Sequence, residues 1–336
     1  MNDKVLIIRL SSFGDVVQNM SCLAPLKRGA NGDLSREIHW LVKKEFASVL
    51  RMSDSLDRII EFDKKIGMLG LIKLAIQLRS ENYTHIYDAH TNIRSRLVVF
   101  ILSIFRSFEF ARRYKDRVKR VLLFNFRKNL FPWPFLGAIS YLEPIKGWID
   151  FKGRNTNFKQ NWKFDDSVVK KFKSFEVENF IAIAPSAAWE MKRWPVEFWK
   201  ELVTSMPEHN FVVLGGPADK FCADIEAIDP KRVTNLAGRT SLIESCYFVQ
   251  QSKITISADT GILHVADILA KKCIALIGPT AFGFPTSPTT KTLSVDLPCR
   301  PCTKDGRGKC SQDVYQKCMV DITPARVKAE IESFQE

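Results

Sequence analysis

The chain lacks any apolar run long enough to cross a bilayer. Its longest largely apolar run, Leu97 to Phe105, falls far short of the roughly 20 residues that a spanning helix needs, and Arg94, Arg96 and Arg106 flank it. The N-terminus also lacks a basic segment followed by a separate apolar stretch and a cleavage site, so no signal peptide is predicted. We therefore expect a cytoplasmic globular protein.

Cysteine is sparse, with eight residues in 336, and its distribution does not suggest a disulfide framework. Four isolated cysteines in apolar segments are expected to be small core residues: Cys22, Cys222, Cys246 and Cys273. The other four form a C-terminal cluster: Cys299, Cys302, Cys310 and Cys318. A Cys-x-x-Cys pair with two further thiols can bind zinc. Because the second pair lacks tight spacing, we expect no metal; buried or redox-labile thiols are the alternative to a zinc loop.

Acidic residues are too few to balance the basic ones, which leaves a formal net charge of +13. More than half of the excess lies between Arg106 and Lys128, where nine basic and two acidic residues give +7. One interpretation is a solvated helix face. The other is a surface for a polyanion, such as nucleic acid, anionic lipid or a phosphorylated acceptor. No recognisable nucleic-acid-binding motif is present, so we expect no nucleic-acid partner.

Internal repeats are also lacking, and apolar strand-like runs instead alternate with helix-length segments in both halves. The first half has four expected strands, at 5–10, 37–42, 58–62 and 85–88. The second half has five, at 180–185, 211–216, 233–236, 254–258 and 273–277. This alternation predicts an α/β protein with two doubly wound domains.

Helix signals and a compositional break refine this picture. The pattern from Leu69 to Leu78 is helical, Pro195 suits the first turn of a helix, and Ser241-x-x-Glu244 predicts a capping box. A stretch from Phe131 to Trp162 is rich in Pro, Gly and aromatics without clear periodicity. We therefore expect domains at 1–164 and 165–336.

The segment Asp259-Thr260-Gly261 falls where a buried strand ends and a helix begins. Ligands of α/β proteins bind outside the carboxyl ends of parallel strands, and the first turn of a helix offers unpaired N–H groups to an anion. A phosphate-bearing ligand is therefore expected here.

Three motifs carry a resemblance to a known family. They are Lys4-Val-Leu-Ile-Ile-Arg-Leu-Ser-Ser-Phe-Gly-Asp-Val-Val17, Ala184-Pro-Ser-Ala-Ala-Trp-Glu-Met-Lys-Arg-Trp-Pro195, and Asp259-Thr-Gly-x-x-His264 followed by Ile277-Gly-Pro-Thr280. Together they resemble the heptosyltransferases of glycosyltransferase family nine, in the right order and over nearly the whole chain.

The resemblance implies a GT-B fold, in which two Rossmann-like domains face each other across a cleft. The acceptor is expected on the N-terminal domain and the nucleotide sugar on the C-terminal one, with the last helix packing back on the N-terminal domain. The implied reaction is inverting and needs no metal ion or cofactor. It moves a heptose from ADP-heptose to the lipid-linked inner core of lipopolysaccharide, at the inner face of the cytoplasmic membrane.

Asp15 is the candidate general base. An inverting displacement needs a group that takes the proton of the attacking hydroxyl. Asp15 lies in the loop after the first strand, where Ser12 and Gly14 are expected to border the acceptor. The alternative is an acidic residue that only favours a helix N-terminus. In the family that the chain resembles, the matching Asp is the base.

Donor-side candidates must meet the negative charge of a departing diphosphate. The sequence contains no Asp-x-Asp pair, which leaves cationic groups and a helix N-terminus for this task. The candidates are Ser186, Lys192, Arg193, Asp219, Asp259, Thr260, Gly261 and His264. The resemblance implies that Lys192 contacts the phosphates. Relatives often carry hydroxyl residues where Ala187 and Ala188 stand, so Ser186 is expected to substitute for them.

Several of these assignments have plain structural alternatives. Lys192 and Arg193 can form a solvated pair, and His264 can be a packing residue rather than a donor contact. Asp219 follows a strand, where an acid can bind ribose hydroxyls. On the acceptor side, five residues follow or lie beyond the fourth strand: Asp88, His90, Arg94, Arg112 and Arg113.

Three other functions compete with heptose transfer. The alternative closest to heptose transfer is a family member that uses another nucleotide sugar or acceptor, because nothing in the sequence indicates the stereochemistry of the sugar. A basic nucleic-acid-binding protein with a zinc loop belongs to a different class. A catalytically inactive glycan-binding relative is the third, and the presence of both Asp15 and Lys192 argues against it.

Overall fold

The computed structural model describes residues 3–30 and 36–334, which form two compact units. The first unit comprises the described residues up to Asp116 together with Ala138–Lys163. The second comprises Arg117–Gly137 and the described residues from Phe164 onwards. A single boundary near residue 165, as predicted from the sequence, therefore does not describe residues 117–137, which cluster with the second unit.

The first unit is built on a five-stranded parallel sheet with the strand order β3-β2-β1-β4-β5. Its strands are β1 (Lys4–Ile8), β2 (Glu37–Lys43), β3 (Arg58–Phe62), β4 (His85–Asp88) and β5 (Glu109–Arg112). The order reverses between β1 and β4, so the loops that follow these two strands lie side by side. This switch point is where Rossmann folds bind ligands.

Helices cover both faces of this sheet. They are α1 (Phe13–Asn19), α2 (Leu23–Arg28), α3 (Ala47–Leu50), α4 (Gly67–Leu78), α5 (Ile93–Ser103) and, at the start of the Ala138–Lys163 segment, α7 (Gly137–Leu142). Leu71 of α4 and Val98 of α5 share one core cluster with Leu6 and Ile8 of β1. Because both faces of β1 are buried, its sequence is continuously apolar.

The second unit contains a six-stranded parallel sheet with the order β13-β11-β10-β7-β8-β9. Its strands are β7 (Phe180–Ala184), β8 (Asn210–Val213), β9 (Val233–Asn235), β10 (Ile254–Ala258), β11 (Cys273–Leu276) and β13 (Thr290–Leu293). The order reverses between β7 and β10. This is the Rossmann strand order, with the loops after β7 and β10 at the switch point.

A separate two-stranded sheet attaches residues 117–137 to the second unit. It pairs β6 (Phe135–Leu136) with β12 (Phe282–Phe284). The Phe282 ring also makes edge contacts with Phe124, Phe131 and Phe135. Aromatic contacts of this kind are directional as well as apolar, and they explain why the aromatic stretch showed no helix or strand period.

The helices of the second unit are α6 (Arg117–Phe126), α8 (Asp166–Lys173), α9 (Val196–Thr204), α10 (Cys222–Glu226), α11 (Leu242–Gln251), α12 (Gly261–Ile268), α13 (Lys317–Val320) and α14 (Pro324–Glu332). The predicted capping box of α11 is confirmed, since Ser241 and Glu244 exchange hydrogen bonds. The last helix, α14, packs on α9 and β11 of its own unit. Its Val327 and Ile331 side chains join the second core, and the expected packing on the N-terminal domain stays a prediction.

Two strands at sheet edges escaped prediction. Strands β5 and β13 are short and only partly buried, so neither shows the continuous apolar run of a central strand. Strand β5 lies in the basic segment that was interpreted as a helix face. That interpretation is wrong for the first part of the segment, and α6 forms its helical part. Within residues 3–30 and 36–334, no helix has the length and apolar character that crossing a membrane requires.

Candidate active site

In the first unit, Asp15 and Arg9 meet at the switch point. Arg9 follows β1, and its guanidinium lies 2.6 Å from Asp15 Oδ2. The same guanidinium donates to the carbonyl of Ala89, just after β4, at 2.7 Å. The Arg9 side chain is buried, whereas that of Asp15 is 37 % exposed. Arg9 therefore ties together the two loops that flank the switch point and holds the carboxylate at the surface.

Two hydroxyl groups complete the surroundings of the Asp15 carboxylate. Ser12 Oγ donates to Oδ2 at 2.8 Å, and the Tyr141 hydroxyl donates to Oδ1 at 2.9 Å. The guanidinium of Arg113 lies over the Tyr141 ring, 4.0 Å from its centroid, and donates to Ser140 Oγ. The carboxylate is thus positioned by groups from three separate parts of the chain.

These neighbours decide the ionisation of Asp15. Burial alone raises the pKa of a carboxyl group, but Arg9 and Arg113, with hydrogen bonds from Ser12 and Tyr141, outweigh it and hold the pKa of Asp15 well below its usual range. Asp15 is therefore ionised at neutral pH. The Asp15 side chain is partly exposed, and its Oδ1 accepts a hydrogen bond from Tyr141.

The structure also supports the alternative role of Asp15, that of an acidic residue at a helix N-terminus. Helix α1 begins at Phe13, so Gly14 and Asp15 lie in its first turn. The prediction that both residues lie in a loop is wrong. The backbone N–H of Ser12 donates to Asp15 Oδ2 at 3.3 Å. Asp15 therefore stabilises the N-terminus of α1. Geometry alone is compatible with both roles.

The other acceptor-side candidates separate into distinct environments. Asp88 is fully buried, accepts from the N–H groups of His90 and Thr91, and lies 3.7 Å from Arg112 Nε. Its carboxylate organises the turn after β4. Arg94 lies exposed in the first turn of α5. Of the predicted set, Arg113 therefore joins the Asp15 cluster, while buried Asp88 forms a neighbouring pair with half-buried Arg112.

His90 is a neutral group beside this cluster. Burial and the nearby positive charges of Arg9 and Lys115 together lower the pKa of His90 to about 4, against the opposing charge of Asp15. At neutral pH its imidazole can accept or donate a hydrogen bond but carries no charge. His90 is therefore suited to binding a neutral hydroxyl group.

Sequence reasoning missed Arg9 and Tyr141. Arg9 had a usable signal, because it is a charged residue directly after the buried strand β1. Tyr141 had none, since it lies in α7, within the stretch that lacked periodicity. Its contact with Asp15 joins residues 126 positions apart. Only the tertiary structure reveals that contact.

In the second unit, Lys192 and Asp259 meet at the switch point between β7 and β10. Lys192 Nζ lies 3.1 Å from Asp259 Oδ2, and both side chains are largely buried. His264 Nε2 lies 3.7 Å from Asp259 Oδ1. The structure thus brings together the lysine of one predicted donor motif and the acid and histidine of the other. His264 is both buried in α12 and part of the polar cluster.

The N-terminus of α12 borders this cluster. Thr260 is the N-cap residue, but its hydroxyl group bonds with Ser257 Oγ at 2.9 Å and does not cap the helix. Gly261 opens the first turn, and both residues are half-buried. First-turn N–H groups that no side chain caps are suited to an anion, which the positive end of the helix dipole also favours.

The remaining donor-side candidates lie near the same strand ends, in the loops there: Arg193, Asp219 and Ser186. Arg193 Nε donates to the carbonyl of Ala187 at 3.0 Å, so it braces the loop after β7. Asp219 Oδ2 accepts from the N–H of Gly216 at 2.7 Å and closes the turn after β8. Ser186 is half-buried at the start of the Lys192 loop. Neither Arg193 nor Asp219 contacts the Lys192–Asp259 pair directly by these bonds.

The cysteine-rich segment supports the Lys192 loop. Gly306 has a φ of +93°, and a β-carbon there would lie 2.6 Å from Lys192 Cγ. The Gln316 amide donates to the carbonyl of Glu190. Both contacts place this segment against the residues that hold Lys192. Glycine is required at position 306 by the close approach and by its backbone conformation.

The four C-terminal cysteines are free thiols. Burial raises the pKa of Cys302, and it raises the pKa of Cys318 to about 12, so both are protonated at neutral pH. In the part of the chain that the structure describes, no group of three or more His, Cys, Asp or Glu side chains could hold a metal ion. The zinc-loop interpretation thus gains no support, and Cys318 is a buried thiol. The four cysteines expected in the core, Cys22, Cys222, Cys246 and Cys273, are buried.

Comparison with known proteins identifies the relatives of the chain. Residues 71–313 match the model of the family described as glycosyltransferase family 9 (heptosyltransferase). The chain is 25 % identical over 300 residues to lipopolysaccharide heptosyltransferase 1 of Campylobacter coli, which covers 82 % of this chain and 84 % of the relative.

Solved structures of similar fold cover nearly the whole chain. Escherichia coli ADP-heptose LPS heptosyltransferase II matches with a TM-score of 0.71 and 21 % identity, over 98 % of both chains. E. coli heptosyltransferase WaaC with ADP-2-deoxy-2-fluoro heptose matches with a TM-score of 0.67 and 17 % identity, over 98 % of this chain and 99 % of that one. The predicted α/β fold of GT-B type, with two Rossmann-like units, is confirmed.

Proposed function

The chain belongs to glycosyltransferase family 9 (heptosyltransferase), and from this premise we propose that it transfers a heptose from ADP-heptose to the inner core of lipopolysaccharide. The donor and the acceptor of the similar heptosyltransferases support this proposal. The observation that carries the proposal is the pair of switch-point sites. One holds an ionised, accessible carboxylate, and the other holds a lysine beside an uncapped helix N-terminus.

Asp15 acts as the general base in this proposal. An acceptor hydroxyl that approaches Oδ1 gives up its proton as its oxygen attacks the anomeric carbon, with inversion at that carbon. The low pKa keeps the carboxylate ionised before attack. Proton transfer then occurs late, when the attacking oxygen has become acidic. Arg9 and Tyr141 fix the carboxylate in place, and neutral His90 is available to an acceptor hydroxyl group.

Lys192 and the first turn of α12 bind the departing diphosphate. As the bond from the anomeric carbon to the phosphate oxygen breaks, negative charge grows on the diphosphate, and preorganised donors stabilise it. The Lys192 charge is shared with Asp259 in the free protein. The incoming diphosphate is expected to compete with Asp259 for the ammonium group. Arg193 and Asp219 hold the loops that border the donor, and Ser186 lies at the start of the Lys192 loop.

We further propose that the reaction needs neither a metal ion nor another cofactor. The chain has no Asp-x-Asp pair, and the second unit already presents cationic groups to the diphosphate. Turnover should therefore persist in EDTA. Loss of turnover on chelation that magnesium or manganese restores, with an unchanged melting temperature, would contradict this.

The acceptor is expected to be lipid-linked and phosphorylated, and to be met at the inner face of the cytoplasmic membrane. Basic groups of the first unit, above all Arg113 beside Asp15, support an anionic acceptor. Contacts between exposed cations and phosphate weaken with salt. The apparent affinity for a phosphorylated acceptor should therefore fall as ionic strength rises.

A nucleotide panel followed by a transfer assay tests the proposal. A ligand that binds only the folded state raises its stability with the logarithm of ligand excess. We expect ADP to raise the melting temperature more than UDP, GDP or an oligonucleotide. Release of ADP from ADP-heptose should then require an inner-core acceptor. Stabilisation by UDP or GDP alone would assign another donor, and stabilisation by oligonucleotide alone would overturn the transferase assignment.

A further inference from the structure

Two helices of the first unit present a common surface to solvent. Helices α4 and α5 contact each other and pack on the same core cluster. Their sides that point away from that core therefore lie next to one another. We call the exposed residues of 64–80 and 93–107 the outer face. This face includes no residue of the Asp15 cluster described above.

The outer face carries large apolar side chains in an unusual number. On α4, Leu69 and Ile76 are 76 % and 55 % exposed; on α5, Ile93 and Phe100 are 77 % and 64 % exposed. Phe105, just beyond α5, is 98 % exposed. Scattered single apolar residues are normal on protein surfaces, but an apolar patch of this kind marks a contact site.

The charge on the outer face has one sign only. Residues 64–80 and 93–107 contain seven Lys or Arg residues, six of them exposed, and no Asp or Glu. A surface that only keeps a protein soluble mixes both signs. Self-association through this face would place like charges opposite one another, and a nucleic acid would leave the apolar side chains without partners. An anionic bilayer satisfies both features, since basic groups meet head groups while apolar side chains enter the acyl boundary.

Phe105 shows that the fold itself holds an aromatic ring outwards. Its backbone has a φ of +56°, in the left-handed region that costs free energy for any residue with a β-carbon. The neighbouring Arg106 is also exposed. An aromatic ring beside a cation at the end of a helix is a suitable anchor for a membrane interface.

We propose that the outer face docks the protein on an anionic phospholipid bilayer. The apolar side chains of α4 and α5, with Phe105, enter the interface, while the basic side chains contact lipid phosphates. The inference rests on the proposed function in one respect, that the lipid-linked acceptor lies in the same bilayer. Docking by this face holds the first unit, which carries Asp15, at the surface where the acceptor is anchored.

Vesicle cosedimentation of the full chain, without nucleotide or acceptor, tests the docking. We expect binding to phosphatidylcholine vesicles that contain phosphatidylglycerol, weaker binding to pure phosphatidylcholine, and release by salt. The double variant Phe100→Ser/Phe105→Ser should partition about 100-fold less, at roughly tenfold for each partly buried ring. Ile228→Ser is the matched control, because Ile228 is exposed between Glu226 and Asp229 and should change nothing.

Three outcomes would overturn the proposal: no vesicle binding by the unmodified chain, an equal loss in Ile228→Ser, or unchanged vesicle binding in the double variant. A reduced mass of the double variant in sedimentation velocity, with vesicle binding retained, would assign the face to a second copy of the chain. Heptose transfer to a soluble acceptor fragment should be unaffected in the double variant at an unchanged melting temperature. Failure of docking is thereby separated from failure of the proposed reaction.

Discussion

The two switch points combine the same kinds of charge in opposite ways. In the first unit a buried arginine, Arg9, supports a carboxylate that is 37 % exposed. In the second unit Lys192 and Asp259 are both largely buried and neutralise each other. The first arrangement presents a negative group to solution. The second places a cation that is paired with a carboxylate beside an uncapped helix N-terminus.

Under the proposed function, this difference suits one fold, used twice, to two tasks. A carboxylate surrounded by fixed cations stays ionised and accessible, which suits a proton acceptor. A lysine that is paired with a carboxylate can change partners when an anion arrives, which suits a leaving-group site. We assign proton transfer to the first unit and diphosphate binding to the second. Substitutions at these residues test that assignment.

The largest effect is expected for Asp15→Asn, which keeps the shape of the side chain and removes its basicity. Turnover should fall by on the order of 10² to 10⁴, the usual contribution of a positioned base. Initial rates at saturating donor and acceptor measure it. Asp63→Asn is the matched control, because Asp63 also accepts a backbone hydrogen bond at a helix start in the same unit. A turnover of Asp15→Asn within about threefold of wild type would leave Asp15 with the helix-stabilising role alone.

Lys192→Met should have the next largest effect. It removes the charge that stabilises the departing diphosphate, so kcat/KM for the donor should fall by about 10² to 10³. It also leaves Asp259 buried without its partner, and Lys192→Met/Asp259→Asn should recover stability without recovering activity. Lys171→Met, which breaks the Lys171–Glu244 pair of the same unit, controls for the loss of a salt bridge. Equal losses of kcat/KM in Lys192→Met and Lys171→Met would argue against a donor-binding role for Lys192.

Tyr141→Phe should produce a smaller effect that is visible in the pH profile. It deletes the hydrogen bond to Asp15 Oδ1, which holds the pKa of Asp15 down, so that pKa should rise. Because the base must be ionised, the acidic limb of kcat/KM should move to higher pH, with at most about a tenfold loss at its plateau. Tyr83→Phe, whose hydroxyl bonds with His39, should leave the limb in place. A limb that moves equally in both variants would argue against the Tyr141–Asp15 contact.

The smallest effect on turnover is expected for the buried carboxyl group of Asp267, which acts on stability instead. Burial raises the pKa of Asp267 to about 7, against hydrogen bonds from the N–H groups of Ser287 and Thr286. The folded protein then binds this proton more tightly than the unfolded chain, whose Asp pKa is about 3.9, so this group makes stability fall as pH rises from about 4 to about 7. Denaturant unfolding at pH 5 and pH 8 measures it, and Asp267→Asn should flatten the difference. An unchanged pH dependence in that variant would contradict the raised pKa.

The central strands were predictable because they are buried on both faces. Strands β4 and β10 begin and end where the apolar runs do, at His85–Asp88 and Ile254–Ala258. The edge strands β5 and β13 were not predictable, since one side of each meets solvent and the apolar run disappears. Residues 117–137 were assigned to the first domain, because the sequence does not report which sheet their aromatic side chains pack against.

The candidate site was predictable where chemistry follows a strand. Asp15, Lys192 and Asp259 each lie after a strand that borders a switch point, so residue type and position together indicated them. Tyr141 was not predictable, because its role arises from a contact between distant parts of the chain. Asp88 is fully buried, because a polar residue at a strand end can turn inwards to satisfy the backbone.

Calorimetric titration of ADP into Asp15→Asn and Lys192→Met, side by side with the unmodified chain, tests the division of tasks most directly. We expect an unchanged Kd for Asp15→Asn, since the base does not bind the nucleotide. For Lys192→Met we expect a Kd about 10²-fold weaker, near the upper range for one charged contact to phosphate. Equal weakening in both variants, or ADP binding that Lys192→Met leaves unchanged, would contradict the account.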